Sequence, residues 1–192
     1  MFLETFKIIN GKAPFLSFHN KRLNRTRQIF FNSNDQIDLK NLIATPPSKG
    51  IYRCRIRYAK TIESIQYLPY QDRKFQTFKI IKDDKINYAF KYSNRDNFNQ
   101  LIKLKESADD ILIIKNNCVT DTSIANVAFW DQNKWLTPST PLLKGTTRER
   151  FLKTHQIVET EIHLEDLNYL SKMALMNALL DFYIINNFKL IY

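Results

Sequence analysis

Polar and apolar residues alternate most clearly in residues 51–58, where Arg53, Arg55 and Arg57 are interleaved with apolar or aromatic side chains. A period of two residues is typical of a β-strand with one buried face. Weaker versions of this pattern predict three further strands, at residues 2–9, 64–68 and 76–81. The pair Asn10-Gly11, directly after the first of them, indicates a tight turn.

Helical spacing appears twice in the first half of the chain. Ser17 can cap a helix that runs to about Phe31, since a serine hydroxyl accepts from first-turn amides. The apolar residues of this helix expected to face a core are Leu16, Leu23, Ile29 and Phe30. A shorter helix is predicted at residues 38–43, ahead of two prolines. The first half therefore reads as α+β.

The second half begins with a predicted helix at residues 94–106 and continues mainly as strands. The predicted strands are residues 110–115, 119–122, 126–130, 134–136 and 158–163, with one or two more at the end. Helices are predicted at residues 147–155 and 164–172. We expect an α+β protein with a small N-terminal α+β domain, residues 1–88, and a C-terminal domain, residues 89–192, divided near residues 85–92.

Composition restricts the class of protein. Hydrophobic residues make up 44% and charged residues 25% of the 192 residues, which is typical of a globular chain. The net charge is +10, but the basic residues are scattered, so we expect anionic small molecules and no nucleic acid as partners. The start has no signal-peptide pattern and no 18-residue apolar run occurs, which predicts a cytoplasmic protein without a membrane partner.

The two cysteines, Cys54 and Cys118, lack the spacing of metal ligands. Both lie in apolar, strand-like segments. We therefore expect two small buried thiols in a reducing compartment and no metal site.

Candidate chemistry concentrates in three places. Asp121 ends a predicted strand, and Gly145, one of only three glycines, directly precedes Thr146 and Thr147 at a helix start. A carboxylate facing a basic ring nitrogen and helix-terminal amides facing a phosphate suit pyridoxal phosphate, for which Lys91 is the candidate lysine. Taken singly, each feature has a plainer explanation: a turn aspartate, a simple helix entry or a surface lysine.

The order of these features along the chain resembles the class IV aminotransferase family, the fold-type IV pyridoxal phosphate enzymes. That family includes branched-chain and D-amino-acid aminotransferases and 4-amino-4-deoxychorismate lyase. The resemblance spans nearly the whole chain and rests on Leu3-Glu4-Thr5-Phe6-Lys7, Asn10-Gly11-Lys12, His19-x-x-Arg22-Leu23, Lys91-x-x-Asn94-Arg95, Val119-Thr120-Asp121-x-Ser123-x-Ala125-Asn126, Thr137-Pro138, Gly145-Thr146-Thr147-Arg148 and Asn177-Ala178-Leu179.

The resemblance implies a role for each matching residue. Lys91 corresponds to the Schiff-base lysine, which also acts as the base at the substrate's α-carbon. Asp121 stands where the family has a glutamate against the ring nitrogen, and it is one methylene shorter. Arg22 corresponds to the arginine that pairs with the cofactor phosphate.

Further positions complete the implied site. Thr146 and Thr147 match the helix start that holds the phosphate. Ser123, Ala125 and Asn126 match the loop beside the ring, and Asn177 matches a position near the substrate. His19 is interpreted as a side chain that anchors its helix.

Two departures from the family bear on the substrate. The family usually has a further strand before its Phe-Glu-Thr strand, where this sequence starts, so the substrate contacts of that segment are in doubt. The carboxylate clamp of the D-amino-acid enzymes is absent from residues 57–70. The segments around Lys91 and Asn177 resemble the aminodeoxychorismate lyases most, including short forms without the first strand. Arg53, Arg55 and Arg57 either meet a dicarboxylate or form a solvated edge.

These implications favour pyruvate elimination from 4-amino-4-deoxychorismate to give 4-aminobenzoate, a step of folate biosynthesis. Two alternatives remain: transamination of a branched-chain or D-amino acid, and a non-catalytic scaffold that kept the fold. The expected cofactor is pyridoxal 5'-phosphate, the expected substrate a small anionic amine, and the expected assembly a homodimer.

Overall fold

The computed structural model describes residues 1–43 and 45–192. These residues divide into two compact units, each made of two chain segments. The first unit contains Met1–Asp72 and Phe90–Asn94, and the second contains Arg73–Ala89 and Arg95–Tyr192. The chain therefore passes from one unit to the other three times.

The first unit is a three-stranded antiparallel sheet with two helices. Its strands are β1 (Phe2–Ile9), β2 (Ile51–Tyr58) and β3 (Ile62–Pro69), in the order β1-β2-β3. Its helices are α1 (Leu16–Phe31) and α2 (Leu39–Leu42). The predicted turn is present, since Ile9 and Lys12 exchange backbone hydrogen bonds and both central residues have positive φ. One face of the sheet is buried through Phe2, Phe6, Ile8, Cys54, Ile56 and Tyr58.

Helix α1 exists as predicted, but its start and its buried face differ from the prediction. Phe15, in the left-handed conformation, is the N-cap, no side chain caps the helix, and Ser17 lies inside it. The buried residues are mostly polar: His19, Leu23, Asn24, Thr26 and Arg27. Ile29 and Phe30 are exposed, although Phe30 stacks on Phe2 with ring centroids 4.7 Å apart. The hydrophobic pattern predicted the wrong buried face because the polar side chains of the observed face find hydrogen-bond partners in the interior.

The second unit is built on one nine-stranded mixed sheet. Its strands are β4 (Thr77–Lys82), β5 (Asp110–Lys115), β6 (Cys118–Thr122), β7 (Asn126–Trp130), β8 (Trp135–Pro138), β9 (Ile157–Thr160), β10 (Lys172–Asn177), β11 (Asp181–Ile185) and β12 (Lys189–Ile191). The main path runs β11-β10-β7-β6-β5-β4-β12, and β8 pairs with β7 and β9. Helices α3 (Asp96–Ile102) and α4 (Thr146–Lys153) complete the unit.

The predicted helix at residues 164–172 is wrong. The structure has a short 3₁₀ helix at Glu165–Tyr169, and Lys172 already begins β10. Leu164, Leu167 and Leu170 are three residues apart and pack on one core cluster. That spacing fits the three-residue turn of a 3₁₀ helix as well as it fits an α-helix. Three closing strands, not one or two, follow it.

Within residues 1–43 and 45–192, no helix has the length and apolar character needed to cross a membrane.

Candidate active site

Glu4, on the buried face of β1, is the centre of a charged cluster in the first unit. Arg22 of α1 donates from Nε to Glu4 Oε1 at 2.8 Å and from Nη2 to Glu4 Oε2 at 2.6 Å. His19, one helical turn earlier, places Nδ1 2.6 Å from Oε2. Glu4 has no exposed surface, and the side chain of Arg22 is 15% exposed. The family-like His-x-x-Arg spacing therefore serves to bring both side chains to one carboxylate.

Electrostatics keep this carboxylate ionised. Burial alone would raise the pKa of Glu4, but the charge of Arg22 and the hydrogen bonds from His19 and Arg22 lower it to about 2. Burial lowers the pKa of His19, against the opposing effect of Glu4. His19 is therefore neutral near pH 7, and its Nδ1 carries the hydrogen that Glu4 accepts. The interpretation of His19 as a helix anchor agrees with this contact.

Lys91 lies in the same unit, in a segment that runs beside β1. Its backbone carbonyl accepts a hydrogen bond from Leu3 N at 2.9 Å, and Ser93 N donates to Met1 O at 3.0 Å. The half-buried Lys91 side chain is close enough for its charge to help lower the pKa of His19. The candidate lysine therefore belongs to the neighbourhood of Glu4 and Arg22.

Asp121, in the second unit, is buried at the tip of the β6–β7 hairpin. Its Oδ1 accepts from Asn126 Nδ2 at 2.7 Å, and its Oδ2 accepts from the backbone N of Leu143 at 2.9 Å. Asp121 and Asn126 are paired across the hairpin. The side chain of Asn126 also donates to Leu143 O at 2.7 Å. Asp121 and Asn126 thus tie the hairpin to the chain that leads into α4.

The direct hydrogen-bond partners of Asp121 are neutral N–H groups. Burial raises the pKa of this carboxyl, and the hydrogen bonds from Leu143 and Asn126 and the charge of Arg148 offset only part of that effect. The resulting pKa is about 7. Near neutral pH the group is therefore poised between acid and carboxylate, and a cation placed against it would favour the ionised form.

Gly145 fits this arrangement for a steric reason. Its φ of −71° is open to any residue, but a Cβ at this position would overlap the side-chain oxygen of Asn126. The group that approaches the Gly145 backbone is the Asn126 amide. The glycine lets Asn126 hold both Asp121 and Leu143.

Helix α4 begins directly after Gly145 with the buried residues Thr146 and Thr147. The N-cap, Gly145, has no side chain to cap the first-turn amides, which carry the positive end of the helix dipole. Arg148 is also buried, and its Nη2 donates to Pro138 O at 2.7 Å and to Glu159 Oε1 at 2.6 Å. The structure therefore brings Asp121, Asn126 and the start of α4 together through residues 142–145.

The other predicted residues of this unit surround the same hairpin. Ser123 and Ala125 are buried in the loop between β6 and β7. Asn177 donates from Nδ2 to Ile124 O at 3.2 Å, so it supports that loop from β10. Arg95 Nη2 donates to Ser123 O at 2.5 Å, a contact that the sequence did not predict.

The three arginines of β2 share a face, as the alternation predicted. Arg53 and Arg57 are exposed and Arg55 is half-buried, opposite the buried face of the sheet. They do not form a sheet edge, because β2 pairs with β1 on one side and β3 on the other. The side chains therefore form a largely solvated basic stripe on a sheet face and not at a sheet edge.

Glu4 and Arg148 belong to the sequence motifs, but the sequence indicated no role for either residue. Glu4 alternates with Phe2 and Phe6, so the pattern already placed a carboxylate on a buried strand face, where it needs a partner. Arg148 follows the two threonines and is buried at 3% exposure. Nothing in the local sequence distinguishes it from a solvated helix arginine, because its acceptors are 10 and 11 residues away in the chain.

The profile of one protein family, Amino-transferase class IV, matches residues 1–188. The chain belongs to this family. Its members depend on pyridoxal phosphate. The predicted α+β, fold-type IV architecture is confirmed.

Individual relatives agree with the family assignment. An uncharacterised protein of Haemophilus influenzae is 37% identical over 181 residues, covering 92% of this chain and 96% of the relative. The crystal structure of a candidate 4-amino-4-deoxychorismate lyase of Haemophilus somnus has a TM-score of 0.86 and 36% identity, over 97% of this chain and 96% of that one. A hypothetical aminotransferase of Mycobacterium tuberculosis in its pyridoxal phosphate-bound form has a TM-score of 0.78 and 14% identity, over 98% and 80%. This last likeness concerns the fold alone.

Proposed function

We propose that this protein is a pyridoxal phosphate enzyme with 4-amino-4-deoxychorismate lyase activity. The observation that carries the proposal is the buried carboxylate of Asp121, which has only neutral direct hydrogen-bond donors and a pKa raised to about 7. A buried carboxylate of this kind suits a cationic N–H partner, such as the protonated ring nitrogen of the cofactor.

The residues present fit the cofactor at its other contacts. The uncapped first turn of α4, with Thr146 and Thr147, suits a phosphate. Arg22 adds a guanidinium whose Nε and Nη2 are held by Glu4, so a phosphate contact would use other N–H groups of the fork. Ser123, Ala125 and Asn126 form the hairpin beside Asp121 and would line the ring.

The cofactor supplies an aldehyde that links to an amine and a ring that withdraws electrons. Lys91 would hold the cofactor through its Nζ and would accept the proton from the α-carbon of the substrate. Asp121 would stabilise positive charge at the ring nitrogen through its carboxylate. The Glu4–His19–Arg22 cluster fixes the orientation of Arg22, so that its cationic fork is pre-organised for an anion.

The lyase is favoured over an aminotransferase by one observation: the structure 36% identical to this chain is that of a candidate 4-amino-4-deoxychorismate lyase. The proposed substrate, a small anionic amine, carries two carboxylates. Arg53, Arg55 and Arg57 are the cations to be tested for contact with them, and they lie on the sheet face opposite Glu4. The overall reaction converts 4-amino-4-deoxychorismate into 4-aminobenzoate and pyruvate. Asn177, which supports the hairpin loop, is the further residue proposed near the substrate. Transamination is the alternative activity.

Borohydride reduction after incubation with pyridoxal phosphate tests the lysine. Peptide mass mapping should find the label on Lys91 and lose it in Lys91→Ala. Lys115, whose Nζ donates to Ile86 O at 2.6 Å, provides the matched control, because Lys115→Ala should keep the label. A label on another lysine, or none, contradicts the proposal.

Supply of 4-amino-4-deoxychorismate without any keto acid tests the reaction. Formation of 4-aminobenzoate and pyruvate supports the lyase. Product that appears only with a keto-acid acceptor identifies an aminotransferase, and a labelled Lys91 without either activity identifies a non-catalytic scaffold.

Cofactor affinity tests the assignment of Arg22. Loss of a charge-assisted contact in Arg22→Ala should weaken binding by roughly 1.5–3 kcal/mol. Arg22→Lys keeps a cation for Glu4 but removes the planar fork. This variant therefore distinguishes an effect on phosphate binding from an effect on folding. Equal affinity of both variants and the parent would remove Arg22 from the site.

A homodimer is also proposed, and the mass of the protein in solution, measured by light scattering, tests it.

A further inference from the structure

A second cluster of chemically reactive side chains lies in the second unit, apart from the residues assigned above. It contains Cys118, Glu161 and His163. Cys118 Sγ is 3.7 Å from His163 Nδ1 and 3.8 Å from Glu161 Oε1, and Glu161 Oε1 is 3.1 Å from His163 Nε2. One ligand atom from each residue can be chosen so that all three lie within 4.8 Å of one another.

The backbone holds these side chains in place. Cys118 begins β6 and forms an antiparallel bridge with His163. Val119 N donates to Ile162 O at 2.8 Å on one side of that bridge. Glu161 precedes His163 by two residues, so an extended chain puts both side chains on the same side. Residues 43 to 45 positions apart in the sequence are thus fixed next to each other by main-chain hydrogen bonds.

We propose that Cys118, Glu161 and His163 form a zinc-binding site. A thiolate, an imidazole and a carboxylate are ligands that Zn²⁺ prefers, whereas Ca²⁺ and Mg²⁺ prefer oxygen alone. Zinc bonds of about 2.3 Å to sulfur and about 2.1 Å to nitrogen or oxygen place adjacent tetrahedral ligands roughly 3.5 Å apart. The two sulfur distances are close to that value. Zinc at Nδ1 requires the Glu161 carboxylate to rotate away from Nε2, and a water completes four ligands.

The surroundings of these three side chains suit a cation. The Glu161 carboxylate lies 3.8 Å from Cys118 Sγ and 3.1 Å from His163 Nε2. Asp166 Oδ2 accepts from the backbone N of His163 at 2.8 Å and adds a further negative charge. A divalent cation would offset this local negative charge in a chain whose net charge is +10.

Cobalt substitution of the tag-free, full-length protein tests the proposal. After removal of metals by a chelator, one equivalent of Co²⁺ should produce a thiolate-to-cobalt charge-transfer band in the near ultraviolet, and Zn²⁺ should abolish it. Mg²⁺ and Ca²⁺ should have no effect. Zinc affinity is then measured by competition with a chromophoric chelator.

Matched variants locate the site. Cys118→Ser and His163→Gln should each lose the band and weaken zinc binding at least about 100-fold, because loss of a ligand exceeds the effect of losing its supporting contacts. Cys54→Ser and His155→Gln, at the buried second cysteine and an exposed histidine, should retain both. Glu161→Gln should keep the band with weaker binding.

Three results would overturn the site: no charge-transfer band, a band that survives Cys118→Ser, or zinc binding that is equal in all variants. Because the assay measures a metal spectrum, its outcome is independent of pyridoxal phosphate activity.

Discussion

Two buried carboxylates, Glu4 in the first unit and Asp121 in the second, have opposite electrostatic states. Glu4 contacts a guanidinium through two hydrogen bonds, and its pKa is lowered to about 2. Asp121 accepts from an amide side chain and a backbone N–H, and its pKa is raised to about 7. Burial acts in the same direction on both groups. The sign of the net shift is decided by whether a cation contacts the carboxylate directly.

The difference in pKa indicates that Glu4 and Asp121 have different tasks. Glu4 has its counter-charge inside the fold, so its cluster orients Arg22 and His19 whether or not a ligand is present. Asp121 is held in place by neutral donors, and its ionisation is unfavourable in the buried site. A bound cationic ligand would therefore stabilise its carboxylate most. A carboxylate that the fold positions but does not neutralise is suited to a cationic ligand.

The largest expected effect comes from Glu4→Gln. This variant removes the buried carboxylate that Arg22 contacts through two hydrogen bonds, so the free energy of unfolding should fall by about 3–5 kcal/mol. Urea denaturation measures it. Glu63→Gln, at an exposed position of β3, is the control and should change little. A small effect at Glu4 would show that the ion pair adds no more than a neutral hydrogen bond.

The pH dependence of stability distinguishes the two carboxylates. Glu4 contributes fully above its unfolded pKa of about 4.3, and this contribution is lost as the pH falls toward about 2. Folded Asp121 keeps its proton up to about pH 7, while unfolded Asp loses it near about 3.9. The free energy of unfolding should therefore decrease by up to about 4 kcal/mol as the pH rises through that window.

Asp121→Asn should abolish that decrease and keep the acid-side loss caused by Glu4. Denaturation curves at pH 4, 5.5 and 7 compare the variant with the parent. A parent whose stability rises steadily from about pH 4 to about pH 7 would contradict the raised pKa of Asp121.

A moderate effect is expected from Gly145→Ala. The added methyl overlaps the Asn126 side chain, and overpacking of this kind costs about 1–3 kcal/mol. Displacement of Asn126 also removes a donor from Asp121. Thermal unfolding and cofactor retention should therefore decline together. Adding Asn126→Ala relieves the overlap, so the double variant should be less destabilised than the sum of the two single variants.

The smallest effect is expected from Glu159→Gln. Its side chain is 49% exposed, and such ion pairs contribute less than about 1 kcal/mol. The charge of Arg148, freed from its partner, should act more strongly on Asp121 and lower the pKa of that carboxyl. Carbon-13 titration of Asp121 measures the shift. An unchanged pKa would mean that Glu159 does not weaken the effect of Arg148 on the carboxylate.

Strands and motifs were predictable from the sequence to different extents. β2, β5 and β7 were predicted at their observed bounds because their polarity changes sharply at both ends. The buried polar face of α1 was not predictable, because Arg27 finds its acceptors at Asp35 and at the distant Lys60 O. Family motifs identified Asp121 and Asn126, but nothing local to either residue indicates the Leu143 backbone that both contact.

The surroundings of the two cysteines were also only partly predictable from the sequence. Cys54 is buried as predicted, and burial raises its pKa to about 12. Cys118 is only partly buried, contrary to the prediction, because it begins a strand directly after the Asn116-Asn117 turn. Its closeness to His163 follows from a bridge between segments 45 residues apart, which no spacing rule detects.

The segment Phe90–Asn94 has a consequence for synthesis of the protein on the ribosome. β1 is an edge strand, and its outer side is covered by this segment through the hydrogen bonds of Leu3 and Met1. A nascent chain that has emerged only as far as residue 89 exposes that edge to neighbouring chains. The outer edge of the sheet in residues 1–72 is therefore covered only after Phe90–Asn94 has been synthesised. Truncation ahead of Phe90 would leave this edge unpaired, so the fragment should be prone to aggregation.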